Sequence, residues 1–479
     1  MMNLLAAKHV HIVGIGGAGM SPLAAILLSM DKRVSGSDLH LSAVTASLAG
    51  RGAIIYEGHH PDNIDGCDLV VITSAAREDN PEIQAARRLG VPVVKGSQLL
   101  GALMDDRRGI AVAGTHGKTT TTAMIAFILE QAGLDPTFVV GGDVRDLGAS
   151  GKLGGGKYLV AEADEYDERF LQLRPFVAVV TNIEADHLDF YKNMENLRHA
   201  FSRFVKAIVP GGWLVACGDN DLARRLLEER CAGNLGIWQT LNGTCVGSVL
   251  YGLDTQVDYQ AGNLVANELG GYDFSVRHGD EDLGRFRLII PGRHNVQNAT
   301  AAIAVANILG ITTDVVRETL AAFHGVARRF DILGEANGII VIDDYAHHPS
   351  EIKATLAAAR GRYGQRRIIA VHQPHTYSRL HNLLHEFAGA FDDADVVLIC
   401  DIYASRESDT LGMHSRDLVA VMSHRNVCYA GSLDRASEML LRMLQPGDVL
   451  ITLGAGDVNR VGREVLHSLT VARSGSFHG

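Results

Sequence analysis

The stretch Gly109-Ile110-Ala111-Val112-Ala113-Gly114-Thr115-His116-Gly117-Lys118-Thr119-Thr120 decides how the chain is read. Gly109–Ala113, small and apolar, predicts a short buried strand. Gly114 and Gly117 bracket a tight turn, and Thr119–Ala132 reads as a helix. Strand, glycine turn, lysine and hydroxyl at a helix start are the grammar of a phosphate-binding loop. The glycines let main-chain N–H groups wrap an anion, and the helix N-terminus adds donors of its own. In that chemistry Lys118 neutralises the β- and γ-phosphates of ATP, and the Thr119 hydroxyl reaches Mg²⁺. Gly114, Thr115, His116, Gly117, Lys118, Thr119 and Thr120 are therefore the candidate nucleotide-binding residues. Val112 stands where the usual G-x-x-x-x-G-K-[ST] spacing has its first glycine, so the loop is a shortened G-x-x-G-K-T.

Acidic groups and a histidine follow at later strand ends. The predicted strand Tyr158–Glu162 runs into Glu162-Ala163-Asp164-Glu165-Tyr166-Asp167. The predicted strand Val177–Thr181 runs into Thr181-Asn182-Ile183-Glu184-Ala185-Asp186-His187-Leu188-Asp189. Ligands of open α/β sheets sit at the carboxyl ends of strands. Glu162 and His187 thus fall on the loop's side and, with Thr119, suit a Mg²⁺ ion.

A second glycine turn lies near the start. Gly14-Ile15-Gly16-Gly17-Ala18-Gly19 follows the predicted strand His9–Val13 and precedes the predicted helix Ser21–Ser29, and Asp38 comes 19 residues after Gly19. This fits a dinucleotide fingerprint, with an acid for a ribose hydroxyl. It says that a pyrophosphate approaches the turn, and both NAD and a UDP-sugar satisfy it.

The 479 residues predict about three domains, and 47% apolar with 21% charged residues is ordinary for a globular chain. Lys+Arg 44 against Asp+Glu 55 gives −11, and the absence of a long basic run argues against nucleic acid. Cys67, Cys217, Cys231, Cys245, Cys400 and Cys428 contain no C-x-x-C pair, which argues against a zinc knuckle or a thioredoxin-type site, and a reducing cytoplasm is the default expectation. Met1–Ala7 is too short for a signal h-region, and Asn295–Thr313, the longest uncharged stretch, reads as a buried helix instead of a membrane span.

Strand and helix segments alternate, which predicts parallel sheets covered by helices. The alternation restarts at Gly109 and near Phe330, giving domains 1–105, 106–327 and 328–479. The first and last read as Rossmann-like, and the middle one as a P-loop ATPase-like α/β domain. Short alternating runs from Thr240 to Arg287 (Gln256–Tyr259, Asp273–Arg277, Gly284–Ile290) predict a small antiparallel ribbon in the middle domain. The tail after Ala472 reads as frayed.

Three further clusters carry chemistry. Gly292-Arg293-His294-Asn295-Val296-Gln297-Asn298 opens a helix. Asp343-Asp344-Tyr345-Ala346-His347-His348-Pro349 ends a strand, with no third His or Cys at zinc spacing, so a substrate-facing role fits better. Arg328-Arg329-Phe330 lies at the second domain boundary.

Taken in order, Gly14–Gly19, Ser35-Gly36-Ser37-Asp38, Gly114–Thr120, Glu162–Asp167, Thr181–Asp189, Gly292–Asn298, Arg328–Phe330 and Asp344–Pro349 resemble the Mur ligases over essentially the whole chain. These ATP-dependent enzymes build the peptide of bacterial cell-wall precursors. Val13–Ser21 and Tyr345–Pro349 resemble the branch that joins L-alanine to the lactyl carboxylate of UDP-N-acetylmuramate through an acyl phosphate. The resemblance implies that Gly16, Gly17, Ala18 and Gly19 lie near the pyrophosphate, with Asp38 and Ser74 close by. It implies that Lys118, Thr119, Glu162 and His187 serve ATP and Mg²⁺, with Asn295 and Asn298 near the adenine and Asp344 near the ribose. Arg329 would reach the phosphates, and Tyr345, His347 and Arg379 would position alanine. Lys118, Glu162, His187, Arg329 and His347 are the implied catalytic set. A cytoplasmic monomer or dimer is expected, without nucleic-acid or membrane partners.

Three departures stand out. Ala346 replaces a family glycine, and Thr376 in Gln373-Pro374-His375-Thr376-Tyr377 replaces a family arginine. The Ser202–Phe204 region lacks the lysine that several sister ligases carbamylate; the nearest is Lys206, and the alanine-adding branch lacks it too. The rival readings are a recycling ligase that adds an intact tripeptide to the same sugar, a non-catalytic UDP-sugar sensor and, from the first glycine turn alone, an NAD-dependent dehydrogenase.

Overall fold

The computed structural model describes residues 3–230, 238–241, 244–405 and 407–475. Cys231 and the last four residues of the tail lie outside the described residues. The architecture is three α/β sheets in chain order.

The first sheet holds β1 (His9–Val13), β2 (Arg33–Asp38), β3 (Ile54–Glu57), β4 (Leu69–Ile72) and β5 (Val93–Lys95) in the order β3-β2-β1-β4-β5. All its pairings are parallel. All five residues of β1 are buried, as a central strand covered on both faces requires. Two of them are histidines, and both have polar partners: His9 Nδ1 lies 3.0 Å from the Gly66 carbonyl and His11 Nδ1 2.9 Å from Ser35 Oγ. The order reverses between β1 and β4, so the turns after these strands flank a topological switch point. Gly14–Gly19 and Ser74 occupy those turns.

The second sheet contains β6 (Arg108–Ala113), β7 (Thr137–Val144), β8 (Ala149–Lys152), β9 (Tyr158–Glu162), β10 (Val177–Val180), β11 (Trp213–Cys217), β12 (Trp238–Leu241), β13 (Thr244–Gly252), β14 (Tyr259–Ala266), β15 (Tyr272–His278) and β16 (Glu281–Leu288). Its order is β16-β15-β14-β13-β11-β10-β6-β9-β7-β8, with β12 beside β13. The helix Lys118–Gln131 is buried from Thr119 to Leu129. The expected antiparallel ribbon is only partly what forms. β12 and β13 are antiparallel, but β13 runs parallel to β11 and pairs in parallel with β14 through Tyr251 and Gly252. The helix Asp221–Arg230 lies between β11 and the β12–β13 pair, and a helical crossover returns the chain to the same sheet end. The strand expected at Gln256 begins instead at Tyr259. The residues before it form a turn around the Asp219 carboxylate, which accepts the main-chain N–H groups of Leu253 at 2.6 Å and Thr255 at 3.0 Å.

The third sheet orders β17 (Asp331–Ala336), β18 (Ile339–Asp344), β19 (Ile368–His372), β20 (Val396–Cys400), β21 (Val427–Gly431) and β22 (Val449–Leu453) as β17-β18-β22-β19-β20-β21. Only β17 is antiparallel to its neighbour. One core, around Ile342, Leu356, Ala370 and Phe391, covers one face, and another, around Val341, Val371, Leu440 and Val461, covers the other.

By compactness the chain divides into two units. One comprises Met1–Leu264, Phe274–Phe286 and Gln297–Phe323; the other comprises Val265–Asp273, Arg287–Val296 and His324–Gly479. Among the described residues no helix is long and apolar enough to cross a membrane.

Candidate active site

β6 continues through Ala113, where Val112 is buried and aligned between Glu162 of β9 and Val179 of β10. The position of the usual first glycine is therefore inside the strand, which is why the loop is short. The turn hangs on the residues after β10. Thr115 donates its main-chain N–H to the Asn182 carbonyl at 3.0 Å, and His116 donates its own to Asn182 Oδ1 at 2.8 Å. The His116 carbonyl accepts the Thr181 hydroxyl at 2.6 Å and Asn182 Nδ2 at 3.1 Å. Gly114 has φ +135°, and a Cβ there would run into Thr181 Oγ1. Gly117 has φ +82°, and a Cβ there would lie 2.6 Å from Asn298 Oδ1. Both glycines are thus dictated by conformation and space. The same contact places Asn298 beside the loop.

The helix begins at Lys118, whose side chain folds back over the turn. Its ammonium lies 3.1 Å from the Thr115 carbonyl and 2.9 Å from Glu165 Oε2. Burial opposes the charge, but Glu165, Asp164 and Glu162 outweigh it and hold the lysine pKa above its ordinary value. Lys118 is a permanent cation at neutral pH. Thr119 donates its hydroxyl to Glu162 Oε1 at 3.2 Å, and the other Glu162 oxygen accepts the Gly141 N–H at 2.9 Å. A hydroxyl and a carboxylate beside a fixed cation form an oxygen donor set of the kind that a hard cation prefers. Thr120 is buried in the first helical turn. His187 has φ 54°; its ring lies 4.9 Å from that of Tyr166, and its Nε2 3.7 Å from Asp186.

The Gly14–Gly19 turn is built differently. Gly14 and Ile15 donate their N–H groups to the Ser37 carbonyl at 2.8 and 3.1 Å. Asp38 accepts the Gly16 N–H at 2.9 Å and the Leu39 N–H at 2.9 Å, so its carboxylate braces the turn. Gly17, Ala18 and Gly19 are exposed, and Ser74 is half-buried.

In the other unit, Arg328 and Phe330 have φ 60° and 47°. Three carboxylates pin this turn. Asp331 accepts the Arg328 N–H at 3.0 Å, Asp343 accepts the Arg328 guanidinium at 3.0 Å, and Asp344 accepts the Phe330 N–H at 2.8 Å. The second Asp344 oxygen accepts the Ala346 N–H at 2.7 Å. Burial pushes the Asp344 carboxyl up to about 6, against the pull of Arg329 and these two N–H groups. The Arg329 guanidinium sits 5.1 Å over the Tyr345 ring and 3.8 Å from Glu351. His347 Nδ1 lies 3.0 Å from the Tyr345 carbonyl, and its ring lies 5.6 Å from that of His375. His375 in turn lies 3.1 Å from Arg379 and stacks on Tyr403 at 5.6 Å. Tyr345, His347 and Arg379 are thus joined through His375. Thr376 is buried at φ 67°, an unusual conformation for a β-branched residue, and donates its N–H to the Tyr403 carbonyl at 2.9 Å. Asn295 donates its side-chain amide to the Pro291 carbonyl at 2.6 Å.

Sequence reasoning assigned no role to Glu165, Asn182, His375 or Tyr403. Glu165 and Asn182 lie inside acidic and polar runs where no spacing marks one residue over its neighbours. Tyr403 carries no motif at all.

A glycine turn with a buried cation, a hydroxyl and a carboxylate in an α/β protein is an arrangement suited to phosphate. Sequence models of three Mur ligase domains match: the family's catalytic domain at residues 9–108, its middle domain at 112–306 and its glutamate ligase domain at 328–456. The chain belongs to the Mur ligase family. It is 45% identical over 472 residues to the UDP-N-acetylmuramate–L-alanine ligase of Solibacter usitatus, covering 98% of this chain and 97% of that one. The crystal structure of the Thermotoga maritima UDP-N-acetylmuramate–alanine ligase matches with a TM-score of 0.81 and 30% identity, covering 96% and 99% of the two chains. A murein peptide ligase from Psychrobacter arcticus matches with a TM-score of 0.74 and 27% identity, covering 96% and 98%.

Proposed function

We propose that this chain is the ATP-dependent ligase that joins L-alanine to the lactyl carboxylate of UDP-N-acetylmuramate in peptidoglycan precursor synthesis. One observation carries the reading. Lys118, Thr119 and Glu162 converge on one glycine turn, in a chain that aligns nearly end to end with an alanine-adding ligase. The lactyl carboxylate attacks the ATP γ-phosphorus, forming an acyl phosphate and releasing ADP. The alanine amine then attacks the acyl carbon, and the tetrahedral intermediate expels phosphate as the amide forms.

Each residue has a part in this. The main-chain N–H groups at the start of the helix Lys118–Gln131 and the Lys118 ammonium hold the triphosphate over the Gly114–Thr120 turn, so that an anionic nucleophile can approach it. Thr119, Glu162 and His187 would hold a Mg²⁺ ion, which would offset phosphate charge. The resemblance to the family assigns Asn295, Asn298 and Asp344 to the nucleoside and Arg329 to the phosphates. Gly16–Gly19 form the turn that the UDP pyrophosphate approaches, Ala18 and Gly19 offering N–H groups while Asp38 holds the Gly16 N–H and braces the turn, with Ser74 beside it. Tyr345, His347 and Arg379 receive alanine, Arg379 as the partner for its carboxylate. UDP-sugars and ATP are cytoplasmic metabolites, so substrates of this kind support a cytoplasmic enzyme.

The test is phosphate release from ATP in the presence of UDP-N-acetylmuramate, with L-alanine, L-serine, glycine and the L-alanyl-γ-D-glutamyl tripeptide offered separately. Release that needs both the sugar and L-alanine is expected. The likeness to the murein peptide ligase makes the tripeptide arm informative. Release with the tripeptide alone would assign the chain to recycling, and no release with any acceptor would leave a sugar-binding protein without this activity.

A further inference from the structure

The Lys118 ammonium is saturated. It has three N–H donors. They face the Gly114 carbonyl at 2.5 Å, the Thr115 carbonyl at 3.1 Å and the two Glu165 oxygens at 2.9 and 3.2 Å. A phosphate oxygen can take a hydrogen bond from this nitrogen only if one partner lets go. The two carbonyls belong to the turn that carries the lysine and stay within its reach. Glu165 is the partner that matches a phosphate oxygen in charge and in hydrogen-bonding chemistry.

The carboxylate is held in that place by its surroundings. The Glu165 side chain is 2% exposed. Its main-chain carbonyl accepts the Tyr191 hydroxyl at 2.5 Å and the Glu168 N–H at 3.1 Å. On one side, Asp164 is paired with Arg169 at 2.7 Å; on the other, the Tyr166 ring packs 5.8 Å from that of Phe190. Asp167 and Glu168, just beyond, have φ 57° and 51°, so backbone strain is stored directly behind the contact. Glu162, three residues earlier, is committed to Thr119 and Gly141. The two glutamates of Glu162-Ala163-Asp164-Glu165 have separate tasks.

We infer that Glu165 is a positioning residue that stands in for the nucleotide phosphate on Lys118. Its carboxylate holds the ammonium over the glycine turn between turnovers, and the incoming phosphate displaces it. The inference rests on the reading of this turn as the ATP site. It has a consequence opposite to that of an ordinary supporting contact. Nucleotide binding must break a buried ion pair, so removing the carboxylate tightens binding instead of weakening it. The lysine would then point less uniformly, so kcat falls while KM for ATP also falls.

Calorimetric titration of the full chain with ADP, at one fixed Mg²⁺ concentration, tests this in wild type, Glu165→Gln, Glu165→Asp, Lys118→Met and the Glu165→Gln/Lys118→Met double variant. Glu165→Gln should bind ADP about tenfold more tightly, equivalent to about 1.4 kcal/mol. ADP should also raise its melting temperature by more than it raises that of wild type. Glu165→Asp, which retracts the carboxylate and keeps its charge, should fall between the two, and it carries the test if the glutamine variant does not fold. In the Lys118→Met background the Glu165 substitution should change nothing. Unchanged or weaker ADP binding in the Glu165 variants, beside normal binding by wild type, overturns the inference. No ADP binding by wild type would instead overturn the ATP site itself.

Discussion

Two glycine turns in this chain share one grammar, strand then turn then helix, yet they are built to different ends. Gly14–Gly19 is held by main-chain bonds to the Ser37 carbonyl and by the Asp38 carboxylate, and its last three residues are exposed. It offers N–H groups and little else. Gly114–Gly117 is surrounded by side chains from three other segments: Thr181 and Asn182, Glu162 and Glu165, and Asn298. It carries a cation, a hydroxyl and carboxylates. N–H groups alone suffice to bind a pyrophosphate that does not react. A phosphoryl group that is transferred needs charge placed where charge develops. On the proposed reading the first turn is a holder and the second a reaction site.

Replacing Lys118 with Ala should break this contrast most severely. Turnover should fall by about a thousandfold or more, as expected when a charge on the transferred group is lost. Affinity for UDP-N-acetylmuramate should stay within about twofold, because that ligand is assigned to the other turn. Steady-state phosphate release and calorimetry on the same preparation check both halves. Normal turnover would remove Lys118 from the site, and lost sugar binding would mean that the two turns are not independent.

The glycines give the next effect. Gly114→Ala puts a Cβ into Thr181 Oγ1 at φ +135°, and should cost about 3 kcal/mol of stability. Gly19→Ala meets nothing within 4 Å and has no left-handed backbone, so it should stay within about 0.5 kcal/mol. Denaturant unfolding of the two variants side by side is the measurement. Equal costs would mean that the two turns are equally packed, and the contrast would fail.

What could be read from sequence follows the same divide between local and distant. The second turn was legible because strand, glycines, lysine, threonine and helix lie within about a dozen consecutive residues, and the periodicity of such a run is local physics. Glu162 was reachable from its place at a strand end. The Lys118–Glu165 pair was not, because it joins residues 47 apart and only the alignment of β6 with β9 brings them together. Asp38 was read as a ribose ligand from its spacing, and that spacing equally suits the brace to Gly16 seen here. The start of β14 was misplaced because the Asp219 carboxylate, more than 30 positions away, organises the preceding turn. His375 and Tyr403 meet across neighbouring strand ends of the third sheet, a contact that no motif records.

The smallest effect concerns the support beneath the first turn. Ser37, whose carbonyl receives the Gly14 and Ile15 N–H groups, donates its hydroxyl to Glu82 at 2.7 Å. Glu82 is buried and also accepts Asn63 at 2.7 Å and meets His59 at 2.9 Å, with His11 at 3.4 Å. Burial pushes its carboxyl up, but the bonds from His11, Asn63 and Ser37 outweigh that and hold it below its ordinary 4.5. A depressed carboxylate adds stability that is present above the unfolded pKa and lost as pH falls through the folded one. Glu82→Gln keeps the shape and one acceptor, and loses the charge. It should cost about 1 kcal/mol at pH 7 and flatten the fall in stability below pH 4.5. ADP affinity should not move. Denaturant unfolding at pH 7 and again below pH 4.5 separates the cases. A loss at pH 7 that shrinks at the lower pH means that the ionised carboxylate carries the support. An equal loss at both means that shape alone does, and the first turn would then rest on packing, unlike the second, which hangs on hydrogen bonds to Thr181 and Asn182.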